Sequence, residues 1–120
     1  MTKAPRVSDY LDHIISAIER IDRYTHEMDE SAFLSNELVQ DAVIRNIEII
    51  GEASNNIQRW APGFASKHDH IPWQVMYTMR NRVSHGYDKV DLNIVWKTVE
   101  RDLPSLHAQI AEVRKAVEST

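Results

Sequence analysis

Cysteine is absent from all 120 residues, which excludes disulfides, thiolate metal sites and thiol nucleophiles together. Glycine and proline are scarce, with three and four copies, whereas hairpins and sandwiched sheets need turn residues far more often. No apolar run approaches the roughly 18 residues of a membrane span. The N-terminal residues Met1-Thr2-Lys3-Ala4-Pro5-Arg6 lead into an amphipathic pattern without an apolar signal core. The expectation is a cytoplasmic protein with no membrane partner. An excess of basic charge is also missing: 14 Lys and Arg face 18 Asp and Glu, a net charge of −4. That balance argues against a general nucleic-acid coat protein but leaves room for a local basic cleft.

The remaining composition, 42% hydrophobic and 27% charged, is that of one globular domain over residues 1–120. A chain of this length buries roughly two-thirds of its unfolded surface, so it needs no covalent staples. Its apolar residues recur with helical periodicity. From about Val7 to Met28, Leu11, Ile14, Ile15, Ile18, Ile21 and Thr25 share one face, with Ser8 as the expected N-cap. Asp29-Glu30-Ser31 reads as a break before a short apolar piece, Ala32-Phe33-Leu34. A second long helix is expected from about Asn36 to Trp60, capped by Ser35 or Asn36. It carries two apolar stripes, Val39-Val43-Ile47-Ile50-Ser54-Ile57 and Ala42-Asn46-Ile49-Ala53-Asn56-Trp60. The stripes lie about 100° apart. Either both serve one core, or one forms a homodimer interface. Gly51 costs about 1 kcal/mol in mid-helix, which close approach of another backbone would offset.

Ala61-Pro62-Gly63 ends that helix. The polar stretch that follows, through Ile71, is expected to be a solvated surface loop. It holds His68, Asp69 and His70, but without a fourth ligand these make a poor zinc site, so no metal is expected. Pro72 opens a third helix running to about Ser84, and Gly86 suits the left-handed position that closes it. From about Asp91 a last helix follows. Pro104 within it should kink or divide it, with Asp102 capping the second part. The fold class is therefore all-α, a bundle of four main helices with the last one divided.

One stretch concentrates chemistry: Arg80, Asn81, Arg82, Ser84, His85 and Tyr87 fall within eight residues. Singly, each has a structural explanation, since arginine near a helix C-terminus complements the macrodipole and a lone His or Tyr there is commonly a surface residue. Together they supply a forked cation for phosphate, a proton exchanger near neutral pH and a neutral polar neighbour. Attack by a ribose 2′-hydroxyl on the adjacent phosphodiester needs a base, an acid and a charge clamp, and in principle no metal or cofactor. On an ideal helix Arg80 and His85 stand about 140° apart in projection. Either the helix loosens near Ser84, or two copies of the motif meet across a two-fold axis, bringing Arg80, Arg82 and Lys89 of both chains together as an RNA-binding patch.

The run Arg80-Asn81-Arg82-Val83-Ser84-His85-Gly86-Tyr87 resembles the Arg-polar-x-x-x-His signature of HEPN domains, and in its extended form the HepT branch of that family. Gln40 to Ala53 is similar to the branch's second-helix motif, and Trp73, Trp96 and Asp102-Leu103-Pro104 match as well. The resemblance implies a dimeric helical bundle acting as a metal-independent ribonuclease, the toxin of a toxin–antitoxin pair. It further implies catalytic roles for Arg80, Asn81 and His85, and modification of Tyr87 with AMP by an MntA-like nucleotidyltransferase antitoxin. The alternative is a non-catalytic partner that binds nucleotide, or a nucleotidyltransferase, through the same cleft.

Overall fold

A computed structural model describes residues 6–84 and 91–118, with the backbone alone at 80–84 and 118. The elements are α1 (Val7–Thr25), α2 (Glu30–Leu34), α3 (Glu37–Trp60), α4 (Pro62–Lys67), α5 (Trp73–Ser84), α6 (Leu92–Lys97), a π-helical turn (Thr98–Asp102) and α7 (Leu103–Glu118). Among the described residues there is no strand. The all-α bundle expected from the periodicity is the fold. Its four main parts are α1, α3, α5 and the divided segment α6–α7.

The 24-residue helix α3 is central, with α1 and α5 packed along it, α7 against α1, and α2 between α3 and α6. The first stripe of α3 is the core stripe: Val43, Ile47, Ile50, Ser54 and Ile57 are fully buried among Leu11, Ile14 and Ile21 of α1, Met76 of α5 and Ile110 of α7. The second stripe divides. Asn46 and Ala53 are buried, Ala42, Ile49 and Asn56 are half-buried, and Trp60 is 65% exposed beneath the Arg59 guanidinium, 4.9 Å away. A single chain therefore buries the first stripe from Val43 onward, with Val39 half-buried, and the second only in part.

Polar contacts set the registers. Arg20 Nε donates to Asn46 Oδ1 at 2.8 Å, and Asn46 Nδ2 donates to the Ala42 carbonyl, fixing α1 on α3. Arg114 grips Asp12 with two hydrogen bonds, at 2.7 and 3.3 Å, and His107 lies 3.1 Å from Glu19, joining α7 to α1. Asn36 Oδ1 accepts from Val39 N, so Asn36 is the cap of α3.

Several local expectations need correction. Helix α1 ends at Thr25 rather than Met28, and its N-cap is Arg6. Ser8 lies inside the helix, and Asp9 instead accepts from the Arg6 amide at 2.9 Å. The apparent break at Asp29 is a start: Asp29 Oδ1 accepts from Ala32 N, initiating the five-residue α2 that inserts Phe33 into the core. The supposed loop after Trp60 contains α4, because Pro62 at its first position needs no amide partner there. Helix α4 is held by Trp73, whose indole N–H lies 3.2 and 3.1 Å from the carbonyls of Ala65 and His68.

Pro104 does divide the last segment, but Asp102 is no cap. Asp102 closes the π turn, and the Leu103 amide donates back to the Thr98 carbonyl, after which α7 begins. A proline in the first turn of the new helix loses no intrahelical bond, so the wider turn accommodates it.

Candidate active site on the α5 helix

Helix α5 owes its position to its first half. Trp73 is buried under α4, and Met76 is buried against α3, with its Sδ 3.6 Å from Ser54 Oγ. A short link reverses the chain between α3 and α5, so α5 runs back along α3. About one to two turns beyond Met76 it reaches Arg80–Ser84. Gly51, near the middle of α3, is buried.

The structure places Arg80, Asn81 and Arg82 on the last turns of α5, which remains helical through Ser84. His85, Gly86, Tyr87 and Lys89 lie outside the described residues. The backbone of Arg80, Asn81 and Arg82 therefore lies on a helix whose first half is held by Trp73 and Met76.

Beside this helix lies a groove that no sequence pattern announces. It has a volume of about 390 Å³ and runs between α5 and the start of α7. Met76 and Met79 line it on the α5 side, and Arg101, Asp102, Ser105 and Gln109 line the other side together with Leu103 and Leu106. Met79 immediately precedes Arg80. Arg101 and Asp102 are exposed, and neither makes an ion pair with a described residue. The sequence signals nearby, Asp102 and Pro104, marked a helix break but not a cavity.

A second groove of similar size lies between α1 and α7, lined by Ile18, Glu19, Asp22, Leu103 and His107 and by no residue of α5. The His68 and His70 rings are 6.0 Å apart, and among the described residues no three His, Asp or Glu side chains converge. His68 instead packs on Phe64, with ring centres 4.5 Å apart. Burial, then the neighbouring charges of His70 and Lys67, lower its pKa from the ordinary 6.5.

The class these features define is a small all-helical domain whose sequence carries an Arg-Asn-x-x-x-His motif that begins on the last turns of a packed helix. Comparison with known proteins makes that class specific. The family model described as "Ribonuclease HepT-like" matches residues 14–113. The chain is 45% identical over 107 residues to a protein of Thermococcus cleftensis named "Probable ribonuclease HepT", covering 89% of this chain and 94% of that one. It is 32% identical over 111 residues to a "Putative RNase" of Caldanaerobacter subterraneus, covering 92% and 95%. A Methanocaldococcus jannaschii protein named "Gamma-glutamylcyclotransferase and putative RNase" is 39% identical over 112 residues, matching 93% of this chain but 49% of its own length. No solved structure matches significantly. The chain belongs to the HepT-like ribonuclease family.

Proposed function

We propose that this protein is a metal-independent endoribonuclease in which Arg80 clamps the scissile phosphate, His85 exchanges protons with the attacking 2′-hydroxyl or the leaving oxygen, and Asn81 orients the phosphate. The observation that carries this reading is the Arg80-Asn81-x-x-x-His85 run on a chain of a ribonuclease family. The chemistry is internally sufficient: a 2′-oxygen attacks phosphorus, the 5′-oxygen leaves with a proton, and a 2′,3′-cyclic phosphate remains. A guanidinium stabilises the charge that gathers on the phosphoryl oxygens, and an imidazole near neutral pH moves the proton.

The active form is a homodimer. Helix α5 stays helical through Ser84, so of the two ways to join Arg80 and His85, the pairing of two copies across a two-fold axis is favoured. The apolar side chains left open on α3 and α5, Leu38 at 80%, Trp60 at 65% and Val75 at 63% exposure, provide surface for that contact. Arg82 and Lys89 add positive charge for RNA.

The biological role is that of a toxin, held in check by a nucleotidyltransferase that attaches AMP to Tyr87. Tyr87 follows His85 by two residues, so a phosphodiester there places negative charge beside the phosphate clamp and competes with substrate. Purified protein should cleave RNA, and Arg80→Ala and His85→Ala should each lower the rate by about 100-fold or more while the helical content stays unchanged. Variants as active as the parent would assign the cleavage elsewhere. Absence of cleavage by the parent would leave a nucleotide- or protein-binding role. Co-expression with the nucleotidyltransferase should add one adenylyl group per chain at Tyr87, read by peptide mass spectrometry. Labelling of another residue would refute that switch.

A further inference from the structure

The groove between α5 and α7 is shaped for more than packing, and its location ties it to the motif. Its volume of about 390 Å³ falls within the usual range of small-ligand sites, about 300–1,000 Å³. One wall is apolar and polarisable, with Met76 and Met79. The other comes from the π turn and α7, where Arg101, Ser105 and Gln109 recur at four-residue steps with Asp102 beside them, together with the apolar Leu103 and Leu106. The wall beside the motif ends at Met79, one residue before Arg80.

We propose that this groove is a subsite for a nucleotide flanking the cleaved phosphodiester of single-stranded RNA. The inference rests on the ribonuclease reading above. A base lies flat against the methionine wall, as unstacked bases do on apolar side chains. Arg101 meets a neighbouring phosphate, because it is exposed and pairs with no described carboxylate. Asp102 accepts from an exocyclic amino group, while Ser105 and Gln109 offer neutral donors and acceptors to the base edge. A groove whose described lining carries one cation and one carboxylate fits a ligand that is itself anionic at the phosphate and a donor at the base. Cytosine presents such an amino group and uracil does not, so the subsite prefers cytosine over uracil at this position. The π turn supplies both Arg101 and Asp102, in keeping with the frequent placement of such turns at functional sites.

The test measures binding of fluorescent hexanucleotide RNAs, one C-rich and one U-rich, to the full-length His85→Ala protein over a series of salt concentrations. Arg101→Ala added to that protein should reduce the slope of log affinity against log salt by about 0.7, the loss of one phosphate contact on a single strand. Asp102→Asn should reduce the preference for the C-rich RNA while leaving the salt slope unlowered. Circular dichroism verifies that each variant is folded, and Arg101→Gln provides a second, near-isosteric removal of the charge. An unchanged slope together with an unchanged base preference overturns the subsite. If this happens while the parent protein cleaves RNA, the ribonuclease reading stands and the subsite alone fails. If no form binds RNA and the parent does not cleave it, both fail.

Discussion

His68 illustrates how a single side chain acquires a solution property from its neighbours. It ends α4 against Phe64, and burial followed by the charges of His70 and Lys67 disfavours its protonation. The unfolded chain therefore takes up a proton at His68 more readily than the folded chain does. This contribution to stability is intact above the ordinary pKa of 6.5 and is lost as pH falls below it. Urea unfolding at pH 7.5 and pH 5.5 should accordingly show a smaller loss on acidification for His68→Gln than for the parent. An equal loss would mean that His68 titrates alike in both states. Sequence placed His68 in a solvated loop, because nothing local reveals that Phe64 and Trp73 converge on it. Asn46 is similar: its place on an apolar stripe was legible, but its partner Arg20, 26 residues away, was not. Arg80, Asn81 and His85 were conspicuous for the opposite reason, since their chemistry is written within six successive positions of the sequence.

Elements were legible wherever a long amphipathic period dictated them, as in α1, α3 and α7. They were obscured where side-chain caps or backbone exceptions decide the outcome. Asp29 starts α2 rather than breaking the chain, and Gln40 on α3 closes α2 by donating to the carbonyls of Phe33 and Leu34 at 2.9 and 3.1 Å. The end of α1 depends on a turn over Thr25–Met28, closed by the Met28 amide on the Thr25 carbonyl. His26 has φ −55° and ψ 131°, and Glu27 has φ 66°, the geometry of a type II turn. Glycine suits the third position of such a turn, where a side chain costs about 1 kcal/mol. Glu27→Gly should therefore leave stability unchanged or raise it by up to about 1 kcal/mol, despite the greater freedom it gives the unfolded chain. A clear loss in thermal unfolding would contradict the strain assigned to that position. The π turn lay beyond sequence reasoning, because Pro104 announces that a helix must adjust without specifying how.

At the scale of the whole molecule, the bundle leaves one account of its surface to be tested by assembly. Under the proposed two-fold pairing through the half-used second stripe of α3 and the exposed Trp60 and Val75, light scattering at micromolar concentration should give twice the 13.9 kDa chain mass. A strict monomer would remove the shared cleft from the mechanism. The groove beside α5 was not legible at all, since it exists only where two distant segments meet. Catalysis is the central claim, and product chemistry tests it most directly. The purified protein is incubated with defined RNA in excess EDTA, and the product ends are identified by mass spectrometry. Sustained cleavage that leaves 2′,3′-cyclic phosphate ends, and that disappears in His85→Ala, is the predicted result. Cleavage abolished by EDTA and restored by a divalent ion, or intact RNA throughout, would contradict it.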